Sequence, residues 1–173
     1  MYLITLYFDE KTTEELQRWI CLLAKETDNT FMTENHVPPH MTLSAFEAPD
    51  EETAKRAFGQ MGFESAGEVQ LVSVGAFLPQ VIYVGAVYSE YLHALSRCAD
   101  EVLDREESIR IRPNYRPFSW LPHVTLGKQL TKEALSRAFG VMQDNFQVIK
   151  GNVVRIGLSR TNPYRDLGIR ELI

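Results

Sequence analysis

The chain has 173 residues, the size of one domain, which is enough to bury a hydrophobic core without a disulfide or a metal to hold it together. Its net charge of −5 argues against a protein that coats long nucleic acid, because such binding depends on many contacts between Lys or Arg and phosphate. A small molecule or a chain end that carries a phosphate is still compatible with this charge.

The N-terminal segment, residues 1–8, is apolar but ends at Asp9 and Glu10. It is too short for a membrane span and lacks the basic region and cleavage site of a signal peptide, so a cytoplasmic protein is expected. Its alternation predicts a strand over Tyr2–Phe8. Thr12 and Glu15 then have the spacing of a capping box, and the apolar residues after them predict a helix.

The middle of the chain alternates between polar loops and apolar segments. Residues 28–39 are polar with two prolines and predict a loop, which leads into a short strand at residues 40–46. A second helix is predicted at residues 51–58. Strands at residues 69–77 and 81–88 are predicted to form a hairpin around Leu78-Pro79-Gln80.

The second half repeats this order of elements. A helix over residues 89–103 precedes an arginine-rich stretch, a strand over His123–Gly127 and a helix after Thr131. Three more strands are predicted, at residues 146–149, 153–159 and 166–173. The pattern alone predicts an α+β fold with mixed sheets.

The two cysteines, Cys21 and Cys98, each lie inside an apolar helical pattern. There is no Cys-x-x-Cys pair and no cluster of cysteines. We therefore expect two buried free thiols, without a disulfide or a metal site.

One five-residue pattern, Pro-His-x-Thr-Leu, occurs twice, at residues 39–43 and 122–126. Its histidines, His40 and His123, are 83 positions apart, close to half the chain. In a strand, residues i and i+2 face the same side about 6.6 Å apart, so the His and the Thr of each copy address one site. A duplicated unit is therefore predicted, in which each half contributes one such pair to a shared cleft. The alternative is a structural repeat whose histidines are satisfied in the core.

Two histidines can supply both proton transfers of an acid–base reaction. One imidazole deprotonates the attacking group, and the other protonates the departing group; a pKa of ~6.5 makes both forms available at neutral pH. Thr42 and Thr125 would then donate hydrogen bonds to the substrate, where charge grows in the transition state. Which histidine is the acid and which is the base is left open by the sequence.

These motifs resemble those of the 2H phosphoesterases, a superfamily named for two His-x-(Ser/Thr)-x motifs that includes RNA 2′,5′-ligase/cyclic phosphodiesterase enzymes. The resemblance extends to the lead-ins Val37-Pro38-Pro39 and Trp120-Leu121-Pro122 and to the segments Gly75-Ala76-Phe77 and Val81-Ile82-Tyr83-Val84-Gly85. It implies a duplicated two-lobe α+β fold in a single domain, with small mixed or antiparallel sheets, helices outside and a pseudo-twofold about a central cleft. We expect lobes of about residues 1–88 and 89–173. The resemblance also implies that His40, Thr42, His123 and Thr125 are the catalytic residues.

A basic and aromatic stretch leads into the second motif. Arginine forks suit phosphate oxygens and aromatic faces stack on bases, so this stretch is a candidate substrate-binding region. The alternative is solvated arginines and core aromatics. Its candidate residues are Arg112, Tyr115, Arg116 and Trp120. A second, more scattered group is interpreted as surface: Arg155, Arg160, Tyr164, Arg165 and Arg170.

The sequence predicts no metal site and no cofactor. Both motifs lack Asp and Glu, and the spacing of His36 and His40 would bind zinc only on a helix that Pro38 and Pro39 forbid. His36 is interpreted as a loop residue, and His93 as a surface residue of an amphipathic helix.

Three functions fit these residues. The first is a metal-independent phosphodiesterase that hydrolyses 2′,3′-cyclic phosphate or 2′,5′-phosphodiester bonds of RNA ends or small nucleotides. The second is an RNA 2′,5′-ligase, since microscopic reversibility lets the same four residues run the reverse reaction. The third is a nucleotide or RNA-end binding module without turnover. We expect a monomer that binds neither membranes nor long nucleic acid.

Overall fold

The apolar segments of the sequence form eight strands in the computed structural model, which describes residues 1–63, 65–161 and 163–173. The strands are β1 (Tyr2–Phe8), β2 (Met41–Glu47), β3 (Gly67–Phe77), β4 (Val81–Ala86), β5 (Arg110–Ile111), β6 (His123–Gly127), β7 (Ile149–Arg160) and β8 (Arg165–Glu171). The helices are α1 (Glu10–Thr27), α2 (Phe31–Glu34), α3 (Glu51–Gly59), α4 (Glu90–Asp104) and α5 (Lys132–Asn145), with a 3₁₀ turn at Pro113–Tyr115. The predicted α+β class is confirmed.

The four long helices begin at side chains that cap their first turn. The side chains of Asp9, Asp50, Ser89 and Thr131 each accept a hydrogen bond from the backbone N–H three residues later. The predicted capping box at Thr12 is therefore wrong: Asp9 is the N-cap of α1, and the Thr12 N–H is the group that it caps.

The strands pair in the order β1-β2-β6-β4-β3-β7-β8, and every pair is antiparallel. Because β7 pairs with β1 as well as with β3 and β8, the pairing also closes on itself. β5 is a short addition at the edge of β2.

The two halves of the chain are interleaved in this sheet. β1 from the first half pairs with β7 from the second, and β4 from the first half pairs with β6 from the second. Hydrogen bonds therefore cross the boundary expected near residue 88. The division into lobes of residues 1–88 and 89–173 stays a prediction, and the sheet pairs strands of one segment with strands of the other.

β7 differs from its sequence prediction. The sequence predicts strands at residues 146–149 and 153–159, but one continuous strand, Ile149–Arg160, spans most of this region. Phe146 is instead the C-cap of α5, and its ring packs on Trp19 with ring centroids 5.6 Å apart. The polar residues 150–152 look like a break in the sequence, yet they pair with β3.

The interpretation of residues 28–39 and of the cysteines also needs correction. The expected loop contains the short helix α2, with Met32 buried. Cys21 is exposed and Cys98 is half-buried, so the expected burial is wrong, although both are free thiols.

No helix among the described residues is long and apolar enough to cross a membrane.

The core lies between the sheet and the helices. Helix α1 packs against α5 and β6, α4 against β2, and α3 against β7. The largest side chains with no exposure, Trp19, Phe46 and Leu16 among them, belong to this core. The opposite face of the motif strands is left for a site.

We predict that a buried side chain of β7 contributes more to stability than the equivalent exposed side chain of β8. Ile156 is fully buried on this strand, so Ile156→Ala should lower the free energy of unfolding by about 2–5 kcal/mol, measured by chemical denaturation. Ile169→Ala on the neighbouring β8 removes the same atoms from a side chain that is 46% exposed, and should cost less than about 1 kcal/mol. Equal losses for the two variants would contradict this prediction.

Candidate active site

The two sequence motifs meet at one antiparallel contact. β2 and β6 pair through Met41 and Val124, the central residues of the two His-x-Thr patterns. Both of these side chains have no exposure and face the core. Because side chains alternate along a strand, the residues on either side of the pair face the opposite surface.

That opposite surface is a cavity of about 410 Å³. All four residues that the motifs indicate, His40, Thr42, His123 and Thr125, line it. The predicted shared cleft therefore exists, and the alternative of histidines satisfied in the core does not describe these positions.

The two imidazoles are held in the same way. The Nδ1 atom of His40 donates to the carbonyl oxygen of Pro38, and that of His123 donates to the carbonyl oxygen of Leu121, each at 2.8 Å. A carbonyl oxygen only accepts, so Nδ1 carries the hydrogen in both rings. Nε2 is the nitrogen left to exchange a proton with a ligand.

Burial lowers the pKa of both imidazoles, because a charged ring is poorly solvated in the cleft. The hydrogen bonds to Pro38 and Leu121 act in the opposite direction. The charge of Asp166 also raises the pKa of His40, whereas proximity to His123 lowers it. His123 is thus close enough to His40 to affect the pKa of His40.

A hydrogen-bonded network lies beside His40. The Tyr164 ring packs on the imidazole with centroids 5.3 Å apart, and the Tyr7 ring lies at 6.5 Å. The Tyr7 hydroxyl donates to Asp166 Oδ1 at 2.5 Å and is hydrogen-bonded to the Tyr164 hydroxyl at 2.7 Å. Ser159, which is fully buried, also donates to Asp166 Oδ1, at 2.7 Å. Burial raises the pKa of Tyr7 and of Tyr164, so both phenols stay protonated.

The surroundings of His123 are aromatic instead. Its ring meets that of Phe77 edge-on at 4.7 Å and that of Tyr83 at 5.3 Å. No carboxylate contributes to the pKa shift of His123 among the described residues. The histidines of two motifs with the same pattern therefore have different electrostatic environments.

The proposed substrate-binding residues divide into two groups. Arg112 and Tyr115 line the cavity. Arg116 does not: it donates to Asp100 at 3.1 Å and to Asp104 at 2.7 Å on α4, which ties the arginine-rich stretch to the helix. The structure thus gives Arg116 the role of an ion-pair partner.

Trp120 is also outside the cavity lining. It is buried, and its Nε1 donates to the backbone oxygen of Thr42 at 3.0 Å. It therefore joins the lead-in of the second motif to the strand of the first, and its place is that of a positioning residue.

Sequence reasoning missed several residues of the cavity. Tyr164, interpreted as surface, lines it beside His40. Lys128 lines it one residue after β6, a position that the continuation of the second motif could have indicated. Phe31, Met32, Asn35 and Asn114 also line the cavity. His36 is exposed and is not part of the lining, and His93, expected at the surface, is half-buried against Phe118 and Tyr88.

Two cations line the cavity although the chain has a net negative charge. Arg112 and Lys128 line it, and its described lining includes no Asp or Glu. Nor is there, within the described ranges, a group of three or more His, Cys, Asp or Glu arranged to hold a metal ion. Paired imidazoles, hydroxyls and cations suit an anion such as phosphate.

A comparison with protein-family models identifies the family to which the chain belongs. The model described as the 2′-5′ RNA ligase superfamily matches residues 9–165, nearly the whole chain. The chain belongs to the 2′-5′ RNA ligase superfamily, the group of the 2H phosphoesterases. The resemblance noted from the motifs is confirmed.

Solved structures share this fold of the 2′-5′ RNA ligase superfamily. A structure described as a phosphoesterase matches with a TM-score of 0.65 and 16% identity, covering 99% of this chain and 97% of the other. Escherichia coli LigT complexed with 3′-AMP matches at 0.62 and 16%, with coverages of 99% and 97%. TT0787 of Thermus thermophilus matches at 0.55 and 20%, also with 99% and 97%. Among curated protein sequences there is no significant match.

We predict that Asp166 tunes His40 alone. Its negative charge favours the imidazolium, so Asp166→Asn should lower the pKa of His40 and leave that of His123 unchanged. In a profile of kcat/KM against pH, one limb should move to lower pH: the acidic limb if His40 is the base, the alkaline limb if it is the acid.

The matched control is Glu171→Gln, which removes the same charge from an exposed side chain on the same strand, and should move neither limb. A profile of Asp166→Asn in which both limbs move together, or neither moves, would contradict the prediction.

Proposed function

We propose that this member of the 2′-5′ RNA ligase superfamily is a metal-independent phosphodiesterase, which hydrolyses 2′,3′-cyclic phosphate or 2′,5′-phosphodiester bonds of RNA ends or small nucleotides. One observation carries the proposal. The two His-x-Thr pairs are centred on the Met41–Val124 contact and face one cavity that is lined by cations.

The roles of the histidines follow from the geometry of displacement at phosphorus. The attacking and departing oxygens lie on opposite sides, so a base and an acid are needed on opposite sides too. With Nδ1 of His40 and of His123 held by a carbonyl, each Nε2 can take a proton when the ring is neutral and give one when it is charged. Each of these roles is typically worth ~10²–10⁴-fold in rate.

The threonines and cations would stabilise the phosphoryl oxygens. Thr42 and Thr125 lie two residues after the histidines and line the same cavity, from which their hydroxyls can donate to the non-bridging oxygens. Lys128 and Arg112 supply positive charge at the same surface. Hydroxyl and cation donors of this kind assist most where negative charge grows in the transition state.

The ligands of one structural relative agree with this assignment. Escherichia coli LigT is described in complexes with 3′-AMP and with phosphate. The cavity of this chain, with Tyr115, Tyr164 and Phe31 beside the phosphate-binding groups, supports binding of a nucleoside attached to phosphate.

We predict that both histidines are required. After EDTA treatment, the wild type should turn over a nucleoside 2′,3′-cyclic phosphate and a 2′,5′-linked dinucleotide with a bell-shaped profile across about pH 5 to 9. His40→Ala and His123→Ala should each reduce kcat/KM by at least ~10²-fold, since each removes one proton transfer.

The control for these variants is His93→Gln, which removes an imidazole outside the cavity lining and should keep the wild-type rate. Product analysis separates hydrolysis from end-joining of RNA half-molecules, the reaction of a ligase. Binding of nucleotides without any product would instead indicate a non-catalytic module.

The threonines should behave differently from the histidines. Thr42→Val and Thr125→Val keep the shape of the side chain but remove the hydroxyl, so kcat should fall by about 10²-fold while both limbs of the pH profile stay in place. Rates measured across the profile test this. A shifted limb would mean that the hydroxyl acts through a histidine and not on the phosphate.

A further inference from the structure

A pair of stacked aromatic rings lies beside His123, outside the residues that line the cavity. Phe77, the last residue of β3, stacks on Tyr83 of β4 with ring centroids 4.4 Å apart and an interplanar angle of 29°. Both rings contact the His123 imidazole, at 4.7 and 5.3 Å. His123 therefore borders the cavity on one side and an aromatic surface on the other.

The backbone fixes the position of this pair. Gly75 is paired with Tyr83 across the β3–β4 hairpin, and a Cβ at Gly75 would come within 2.5 Å of the Tyr83 ring. The Tyr83 ring therefore lies across the bare glycine, and Phe77 stacks on it. Since one residue separates Gly75 from Phe77, the glycine and the phenyl ring are on the same face of β3.

Phe77 exposes 40% of its surface, although a phenyl ring gains about 1.5–3 kcal/mol when it is fully buried. Aromatic rings that are held rigidly and left accessible next to a phosphate-binding group are the stacking surfaces used by proteins that bind single-stranded nucleic acid.

We propose that Phe77 and Tyr83 form a second nucleoside site, which stacks the base of the nucleoside on the His123 side of the reacting phosphate. This inference rests on the proposed function and deepens it. The cavity takes one nucleoside and the aromatic pair takes the other, so the preferred substrate has a nucleoside on both sides of the phosphorus. That substrate class is the 2′,5′-linked internucleotide diester.

The chemistry of that substrate balances with the two histidines. The 3′-oxygen of the nucleoside in the cavity forms a bond to phosphorus and gives its proton to His40. The bond from phosphorus to the 5′-oxygen of the second nucleoside breaks, and this oxygen takes a proton from His123. The products of this step are a 2′,3′-cyclic phosphate and a free 5′-hydroxyl. In the hydrolysis that follows, water gives a proton to His123 and bonds to phosphorus, and the departing 3′-oxygen takes a proton from His40.

Equilibrium binding of two unreactive probes, measured by calorimetry, tests the second site. One probe is a 2′,5′-linked dinucleotide with a 3′-deoxyribose, which lacks the attacking hydroxyl; the other is the matching nucleoside 2′-phosphate. The wild type should bind the dinucleotide about five- to tenfold more tightly, the lower part of the range for stacking one base. Phe77→Leu, which keeps apolar bulk against Tyr83 without a π face, should abolish this difference, and Phe77→Trp should preserve it.

The control is Phe118→Ala, which removes another exposed aromatic ring, one that contacts Tyr88 and His93 and not His123, and should leave the difference unchanged. Equal binding of the two probes by the wild type, or an equal loss for both in Phe77→Leu, would overturn the second site and leave the proposed function standing. Failure of the nucleoside 2′-phosphate to bind at all would contradict the proposed function, and this inference would be rejected with it.

Discussion

The site depends on a single antiparallel contact, that between Met41 and Val124. These two buried side chains fix the faces of β2 and β6, and therefore decide that the His-x-Thr pairs face the cavity. A shift of one residue in either strand would turn both functional side chains of that strand into the core. A hydrogen bond outside the pair holds this register, because the Trp120 indole donates to the Thr42 carbonyl oxygen. The Ala86 N–H donates to the Pro122 carbonyl oxygen and so joins the start of β6 to β4.

Around this contact the two histidines are held alike, and the differences between their surroundings come from more distant parts of the chain. The carbonyl two residues before each histidine fixes both rings alike. Beside His40, however, β1, β7 and β8 bring Tyr7, Ser159 and Asp166 into one network, whereas the β3–β4 hairpin brings aromatic rings to His123. The opposite proton transfers that we propose for the two histidines require different environments, and the motifs themselves cannot supply that difference.

This difference between the local motifs and the contacts made by distant strands explains which parts of the structure could be predicted from the sequence. Local periodicity located the long helices and most strands, and the repeated motif located His40 and His123, because these signals lie within a few neighbouring residues. The network could not be predicted, since Tyr7 and Asp166 are 159 positions apart and meet only through strand pairing. The ion pairs of Arg116 could not be predicted for a similar reason: its acidic partners lie on α4, 16 and 12 positions earlier in the chain, and no motif connects them to it.

The net charge of the chain does not indicate the cations in the cavity lining. Acidic residues outside the cavity contribute the negative charge, and several of them are paired with arginines. Arg116 pairs with two aspartates, Arg165 with Glu51, and Arg56 with Glu106. Within the lining, Arg112 also has an acidic neighbour, since its guanidinium lies 3.2 Å from Glu47. Both of these groups are about half exposed, and an ion pair of this kind contributes at most about 1 kcal/mol, so a phosphate can replace the carboxylate with little loss of stability. Lys128, whose Nζ lies 5.9 Å from the centroid of the Phe31 ring, has no acidic partner among the described salt bridges, so of the two cations in the lining it is the one whose charge is not offset by a carboxylate.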